Sequence, residues 1–269
     1  MPSSNDSFLS AILLIALSVS ILQGGRYLVL SLIFVGAMRG GARWIPRRRI
    51  LNRRTPTATD YRREIVTSFR SVLIFGAINA PALWAKTHGW TLFLDDSNAS
   101  LLKLALWTIA LLILHDTWFY WTHRLMHLPH LFSKWHRTHH LSVSPTPFTA
   151  YAFDWREAIV QTLFTAVLIL VLPAPVLAFS FFLSVQIFRN VWGHCGVELH
   201  PAGFADSPFT GFLTTTVHHQ MHHAGGHMHN YGLYFTWWDR LMGTEHPEYR
   251  ATFRSVTTDS TASRNEVAH

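Results

Sequence analysis

The chain has 269 residues, of which 49% are hydrophobic and only 14% charged. Soluble domains carry about 25% charged residues, so this composition excludes an ordinary water-soluble domain and points to lipid as the solvent for much of the chain. The net charge of +7 would suit nucleic acid or anionic lipid; arginines beside apolar runs, with no nucleic-acid motif, select the membrane and leave no nucleic-acid partner to expect.

The first element is apolar from Phe8 to Met38, broken only by Gln23-Gly24-Gly25-Arg26. No basic residue precedes it and no small-residue cleavage site follows, so it reads as a retained anchor rather than a cleaved signal peptide. Each half falls short of the roughly 20 residues a span requires, so one long helix, tilted or kinked at the glycine pair, is expected. A second span covers Ile65 to Ala85, softened by Asn79 and Pro81. A third starts near Leu101, runs apolar to Leu114 and continues into His115-Asp116-Thr117-Trp118-Phe119-Tyr120-Trp121-Thr122-His123. Ala158–Leu172 and Val176–Val191, parted by Pro173-Ala174-Pro175, suit a tight helical hairpin that need not fully cross. From Gly193 onward the chain is polar and aromatic, and its last stretch has the composition of a disordered tail. The expected architecture is an all-α integral membrane protein with about four transmembrane elements and a cytoplasmic histidine-rich catalytic cap. It divides into an anchor region with a basic loop (residues 1–98), a catalytic domain (99–248) and the tail (249–269).

Loop charge sets the orientation. Arg39, Arg43, Arg47, Arg48, Arg49, Arg53, Arg54, Arg62 and Arg63 lie between the first two spans, which places that loop in the cytoplasm by the positive-inside rule. The next loop, Lys86–Ser100, carries Asp95 and Asp96 and falls outside. The third span then returns inward, and the hairpin enters and leaves on that same side. All the histidine clusters therefore arrive at one face.

Histidine is the anomaly, with 18 in the chain. His123 and His127, four apart, share one face of a helix, a two-ligand spacing. Asp116 and Tyr120 lie on the same stripe and could accept a proton from a ligating ring or orient it. His136, His139 and His140 form an H-x-x-H-H box, and His219, His222 and His223 repeat it. His194 closes Asn190-Val191-Trp192-Gly193-His194. A lone histidine near a membrane interface is usually an ordinary polar residue, but repeated boxes on one face are a metal site, since neutral imidazole is the commonest protein metal ligand. Nine candidates exceed the four or so that one zinc takes, so two metals are expected. An all-nitrogen set suits iron, copper, zinc or nickel and argues against magnesium or calcium.

The ordered motifs, Tyr120–His127, Lys134–His140, Pro145-Thr146-Pro147-Phe148, His219–His223, Asn230-Tyr231-Gly232 and Trp238–Thr244, resemble the fatty acid hydroxylase superfamily of membrane di-iron oxygenases, within it the sterol desaturase branch. The Pro-Thr-Pro-Phe segment is similar to that of sterol C5-desaturases and also of C4-methyl oxidases. The resemblance implies that the nine histidines ligate two Fe ions, with O2 as co-substrate, although zinc could occupy the same cage in a purified sample. It implies hydrogen abstraction from an unactivated C–H bond of a lipid, giving an alcohol or an alkene, with a sterol or sterol-like substrate favoured over a carotenoid or fatty-acyl chain. No haem or flavin motif is present, so a separate electron donor, cytochrome b5-like or ferredoxin-like, is implied, with the arginine loop as a docking face or a headgroup anchor. A divalent-metal transporter would place its ligands at mid-membrane, and a metal-stabilised scaffold would need no substrate.

The remaining polar residues divide less sharply. Asn190, His218, His227 and His229 are candidates to stand behind the ligands; His227 and His229 could equally face substrate or solvent. His115, one turn deeper, suits a supporting or packing role, while His88, His130, His200, His246 and His269 read as ordinary. Glu157 and Asp154 are helix-start charges or acceptors for a ligand ring. Asp239 and Arg240 are expected to pair, Cys195 to pack as a small apolar residue, and the aromatic stretch Tyr231–Thr244 to form an interfacial belt.

Overall fold

The computed structural model describes residues 4–94, 99–224 and 227–258. Asp95, Asp96, Gly225, Gly226 and His269 lie outside the described residues, as does the rest of the tail beyond residue 258. The architecture is all-helical, with isolated bridges but no named strand among the described residues. Helix α1 (Ser4–Gly41) runs unbroken through Gly24-Gly25, because the glycines leave its hydrogen bonding intact. Helices α2 (Ala58–Thr87), α3 (Leu101–Met126) and α7 (Val176–Gly193) join it as the four helices long and apolar enough to cross a membrane. Their outward faces are largely apolar, as Leu13, Leu14 and Ile21 of α1 illustrate, at more than 60% exposed, with Arg62, Arg70 and Lys103 among the exceptions.

Local chemistry sets the helix ends. Thr57 and Asp60 form a reciprocal capping box at the start of α2, and Arg54 closes on Asp60 at 2.6 Å. Ser100 caps α3 and Asp154 caps α6 (Trp155–Val171), each accepting a backbone N–H of the first turn. Residues 172–175 link α6 to α7 as the proline pair predicts. The tip reaches further than expected: Leu94 N–H donates to Ala174 O and Val176 N–H to Leu94 O, so the hairpin meets the α2–α3 connection at the end of the bundle opposite the histidines. Small residues let the helices close up. A Cβ on Gly76 would collide with Ser20 Oγ and the Ala16 carbonyl, which fixes α1 against α2. Asn79, expected to weaken its span, instead ties α2 to α6 by donating to Thr162 Oγ1 (2.6 Å) and accepting from Thr165 Oγ1 (2.9 Å).

The short elements make the cap: α4 (Pro129–Trp135), α5 (Arg137–His140), a 3-10 turn at Pro147–Tyr151, α8 (Thr216–Ala224), α9 (Trp237–Leu241) and α10 (Tyr249–Thr257). The last of these corrects the expected tail. Residues 249–257 are a helix with Tyr249 and Phe253 fully buried against Val217 and Ala205. The polar average of the segment conceals an i, i+4 aromatic pair that packs. The basic loop is also partly inward: Arg49 donates to the Glu198 and His200 carbonyls at 3.0 and 2.7 Å, whereas Arg43, Arg47, Arg48 and Arg53 remain exposed.

Candidate metal centre

Three helices and the end of a fourth deliver nine histidines to a common buried volume. His123 comes from the last turn of α3 and His127 from its C-cap, His136 precedes α5, His139 and His140 end it, His194 caps α7, and His219, His222 and His223 lie on α8. They gather into two groups. In one, a nitrogen from each of His123, His127, His136, His140 and His222 lies within 4.8 Å of every other; in the second, the same holds for His139, His194, His219 and His223. All nine rings are buried. The boxes do not map one to a group. His136 and His140 face one centre while His139 faces the other, and His222 parts in the same way from His219 and His223.

The spacing within each group fits a single ion. A metal–imidazole bond of about 2.1 Å puts neighbouring nitrogens roughly 3.0 Å apart in octahedral and roughly 3.4 Å apart in tetrahedral geometry. The Nε2–Nε2 separations are 3.0 Å for His123–His136 and 3.1 Å for His140–His222 in the first group. In the second they are 3.3 Å for His139–His194, 2.8 Å for His194–His219 and 3.2 Å for His219–His223. The buried Nε2 of His127 has no protein partner. Burial, then the neighbouring rings, holds His139, His140, His219 and His223 well below the ordinary imidazole pKa, and burial brings His194 down to about 4. Rings kept neutral in this way present lone pairs rather than positive charge.

The opposite edges of three rings are anchored by backbone carbonyls. His123 Nδ1 donates to the Tyr231 carbonyl (2.9 Å), His194 Nδ1 to the Asn190 carbonyl (2.7 Å) and His222 Nδ1 to the His229 carbonyl (2.7 Å). His136 Nδ1 lies 2.8 Å from Glu157 Oε1, both buried. A proton held on Nδ1 leaves Nε2 free to ligate. Glu157 thus stands against a ring at close distance and Asp154 is the helix cap, which separates two residues with identical sequence readings.

Among the residues expected behind the ligands, several act differently. Asp116 reaches no histidine: it accepts from Tyr234 N (2.8 Å), Phe235 N (3.3 Å) and Trp237 Nε1 (3.0 Å). It shares the angular face of His123 but sits seven residues, about 10 Å, deeper along α3. Tyr120 hydroxyl contacts Thr244 Oγ1 (2.9 Å) and accepts from Arg124, so it too pins the C-terminal segment. Asn190 and His229 serve through backbone carbonyls, the Asn190 amide donating to Ala150 O. His218 Nε2 lies 3.5 Å from Asp239 Oδ2 and packs on Tyr249, and His227 stacks on Phe132 and approaches the His140 ring; neither joins a group. Asp239 does not pair with Arg240, which takes Glu245 instead at 3.0 Å. Its carboxylate accepts from Tyr231 N, Gly232 N and Thr244 Oγ1 and so fixes the carbonyl that receives His123. His115 packs among Phe164 and Phe182, with Tyr234 hydroxyl at Nδ1. Cys195 is a packed thiol that burial pushes up to about 12.

Glu198 is a positioning residue the sequence did not single out. It accepts from Val217 N (2.9 Å), holding the start of α8, while its other oxygen contacts His200 Nδ1 at 2.6 Å. Only its place two residues before a histidine was visible, and that carries no signal.

Comparison with known proteins agrees with this geometry. The family described as Fatty acid hydroxylase matches residues 108–244, about half of the chain. Human lathosterol oxidase is 27% identical over 68% of this chain and 60% of its own length. A Delta(7)-sterol 5(6)-desaturase of Gibberella zeae is 29% identical over 68% of this chain and 55% of its own. Rat methylsterol monooxygenase 1 is 29% identical over 49% and 44%. The chain thus spans about 60% or less of the length of these curated relatives. No solved structure matches it.

Proposed function

The chain belongs to the fatty acid hydroxylase family, and on that premise we propose that it is an O2-dependent di-iron membrane oxidoreductase that hydroxylates or desaturates an unactivated C–H position of a lipid. A sterol or sterol-like substrate is favoured by the names of its relatives. One observation carries the reading: two adjoining groups of buried, neutral imidazoles, each spaced for one ion, at the end of a bundle of apolar helices. Iron fits an all-imidazole donor set, and when bound it would supply activation of dioxygen for attack on a C–H bond.

The chain's own residues hold and shield. His123, His127, His136, His140 and His222 would hold one iron and His139, His194, His219 and His223 the other. The Tyr231, Asn190 and His229 carbonyls keep the Nδ1 of His123, His194 and His222 protonated so that Nε2 points inward, and the Glu157 carboxyl stands beside His136 Nδ1. Phe119 against His123 and Phe153 against His139, ring centroids 5.0 and 5.4 Å apart, form apolar walls that exclude water from the centre. No other acid or base is assigned. Residues 99–248 would form the catalytic unit, though α1 and α2 contribute Gln23 and Phe75 to the cavity beside it. The charge of the arginine loop supports a cytoplasmic orientation of this face, where exposed Arg43, Arg47 and Arg53 would meet an acidic electron donor of cytochrome b5 or ferredoxin type. A transporter would need its donors at mid-span, whereas these lie on the last turn of α3 and on short cap helices.

Lipid profiling of cells with and without the protein, under isotopically labelled dioxygen, tests the proposal. Labelled alcohol or a new unlabelled alkene is the expected result; an unchanged lipid profile overturns it.

A further inference from the structure

Beside the histidines, a chamber among the helices is walled mainly by Phe75, Phe119, Tyr151, Phe153 and Phe182. It shares Gln23, Thr165 and Leu183 with an outer cavity of about 290 Å³ that opens between α1, α2, α6 and α7. The two adjoin, running from the apolar flank of the bundle to Phe119 and Phe153, which pack on His123 and His139. Most polar groups around it are already paired: Asn79 with Thr162 and Thr165, Gln186 Oε1 with the Tyr151 hydroxyl (3.0 Å), and His115 with the Tyr234 hydroxyl.

Two atoms are not. Gln161 Nε2 and Gln23 Oε1 are shut off from solvent and have no hydrogen-bond partner, and Gln161 as a whole is 9% exposed. Both residues line the chamber. One is an unmet donor and the other an unmet acceptor, an arrangement that a hydrocarbon leaves unsatisfied on both sides and a ketone or ether on one. A hydroxyl meets both, its oxygen accepting from Gln161 Nε2–H and its hydrogen going to Gln23 Oε1. We propose that Gln23 and Gln161 form a hydroxyl-binding subsite, so that the lipid enters with a hydroxyl on the end it presents to the histidines. Gln161 follows Glu157 by one turn of α6, about 6 Å along the axis, and Glu157 touches His136. The carbon oxidised therefore lies on the hydroxyl-bearing end of the molecule and not at its far terminus.

This subsite rests on the lipid-oxidising reading of the centre, and binding separates the two. The protein is purified in lipid nanodiscs and titrated with a tritiated Δ7-sterol and with the deoxy analogue of the same ring system. The hydroxylated sterol should bind about tenfold more tightly, the combined worth of two modest hydrogen bonds. Gln161→Leu and Gln23→Leu should each reduce that preference, to about threefold, while leaving affinity for the deoxy analogue unchanged, which also shows that the variants are folded. Equal binding of the two sterols to the parent protein, or equal weakening of both by Gln161→Leu, overturns the subsite and leaves the sterol reading standing. Binding of neither sterol overturns the sterol reading and this subsite with it.

Discussion

His136 Nδ1 stands 2.8 Å from Glu157 Oε1, and both side chains are almost wholly buried. The pair joins α6 to the first histidine group, so the helix that lines the chamber also sets a buried carboxyl against a ring at its end. Glu157→Ala should lower metal affinity of that group by about 10- to 100-fold, while Glu157→Gln, which keeps an acceptor, should lose much less. Chelator competition on the purified variants measures this, and equal affinity in all three proteins would remove Glu157 from the centre.

The grouping of the rings predicts stoichiometry. The parent protein should carry about two metal ions per chain, and His136→Ala or His219→Ala about one each, because the two residues fall in different groups. Elemental analysis reads the count directly. Activity should vanish in both, as in His139→Ala, and a count near one in the parent would contradict the two-ion arrangement.

Asp239 and Asp116 are both buried carboxylates that accept backbone N–H groups, but they support different things. Asp239→Ala frees Tyr231 and Gly232 N–H, shifts the carbonyl behind His123 and should reduce metal occupancy. Asp116→Ala releases Tyr234 N–H and Trp237 Nε1–H and should cost about 2–3 kcal/mol of stability with metal content nearly unchanged. Thermal melts paired with metal analysis separate the outcomes; identical metal loss in both variants would show that the C-terminal segment acts as one undivided support.

Gly76→Val tests the α1–α2 contact. The new side chain meets Ser20 and the Ala16 carbonyl, and overpacking of this kind costs about 1–3 kcal/mol. A lowered melting temperature with metal still bound is expected. A melt equal to the parent's would mean that α1 can pull away from α2 at no cost.

The histidines were legible because their spacing is itself the signal: H-x-x-x-H and H-x-x-H-H are helical patterns, and helices carry them here. The spans were legible from apolar run length. Less visible was depth, since Asp116 has the right angle on α3 for His123 but lies too far along the axis, and a helical stripe encodes angle only. The acceptors for His123, His194 and His222 are carbonyls of Tyr231, Asn190 and His229, which every residue type possesses, so no side-chain pattern could announce them. Residues 249–257 escaped because their composition is that of a tail, while Tyr249 and Phe253 are one turn apart and share a buried face.

Each histidine box supplies both groups, His139 parting from the group that holds His136 and His140, and His222 from the group that holds His219 and His223. The length of the chain inside a box is therefore fixed to the residue. One residue inserted between His136 and His140 would rotate the later rings by about 100° and point them at the wrong centre or at none. The same insertion in the exposed connection between the basic loop and α2 would only lengthen a turn. Length variation in this protein is thus tolerable there and ruinous within the boxes.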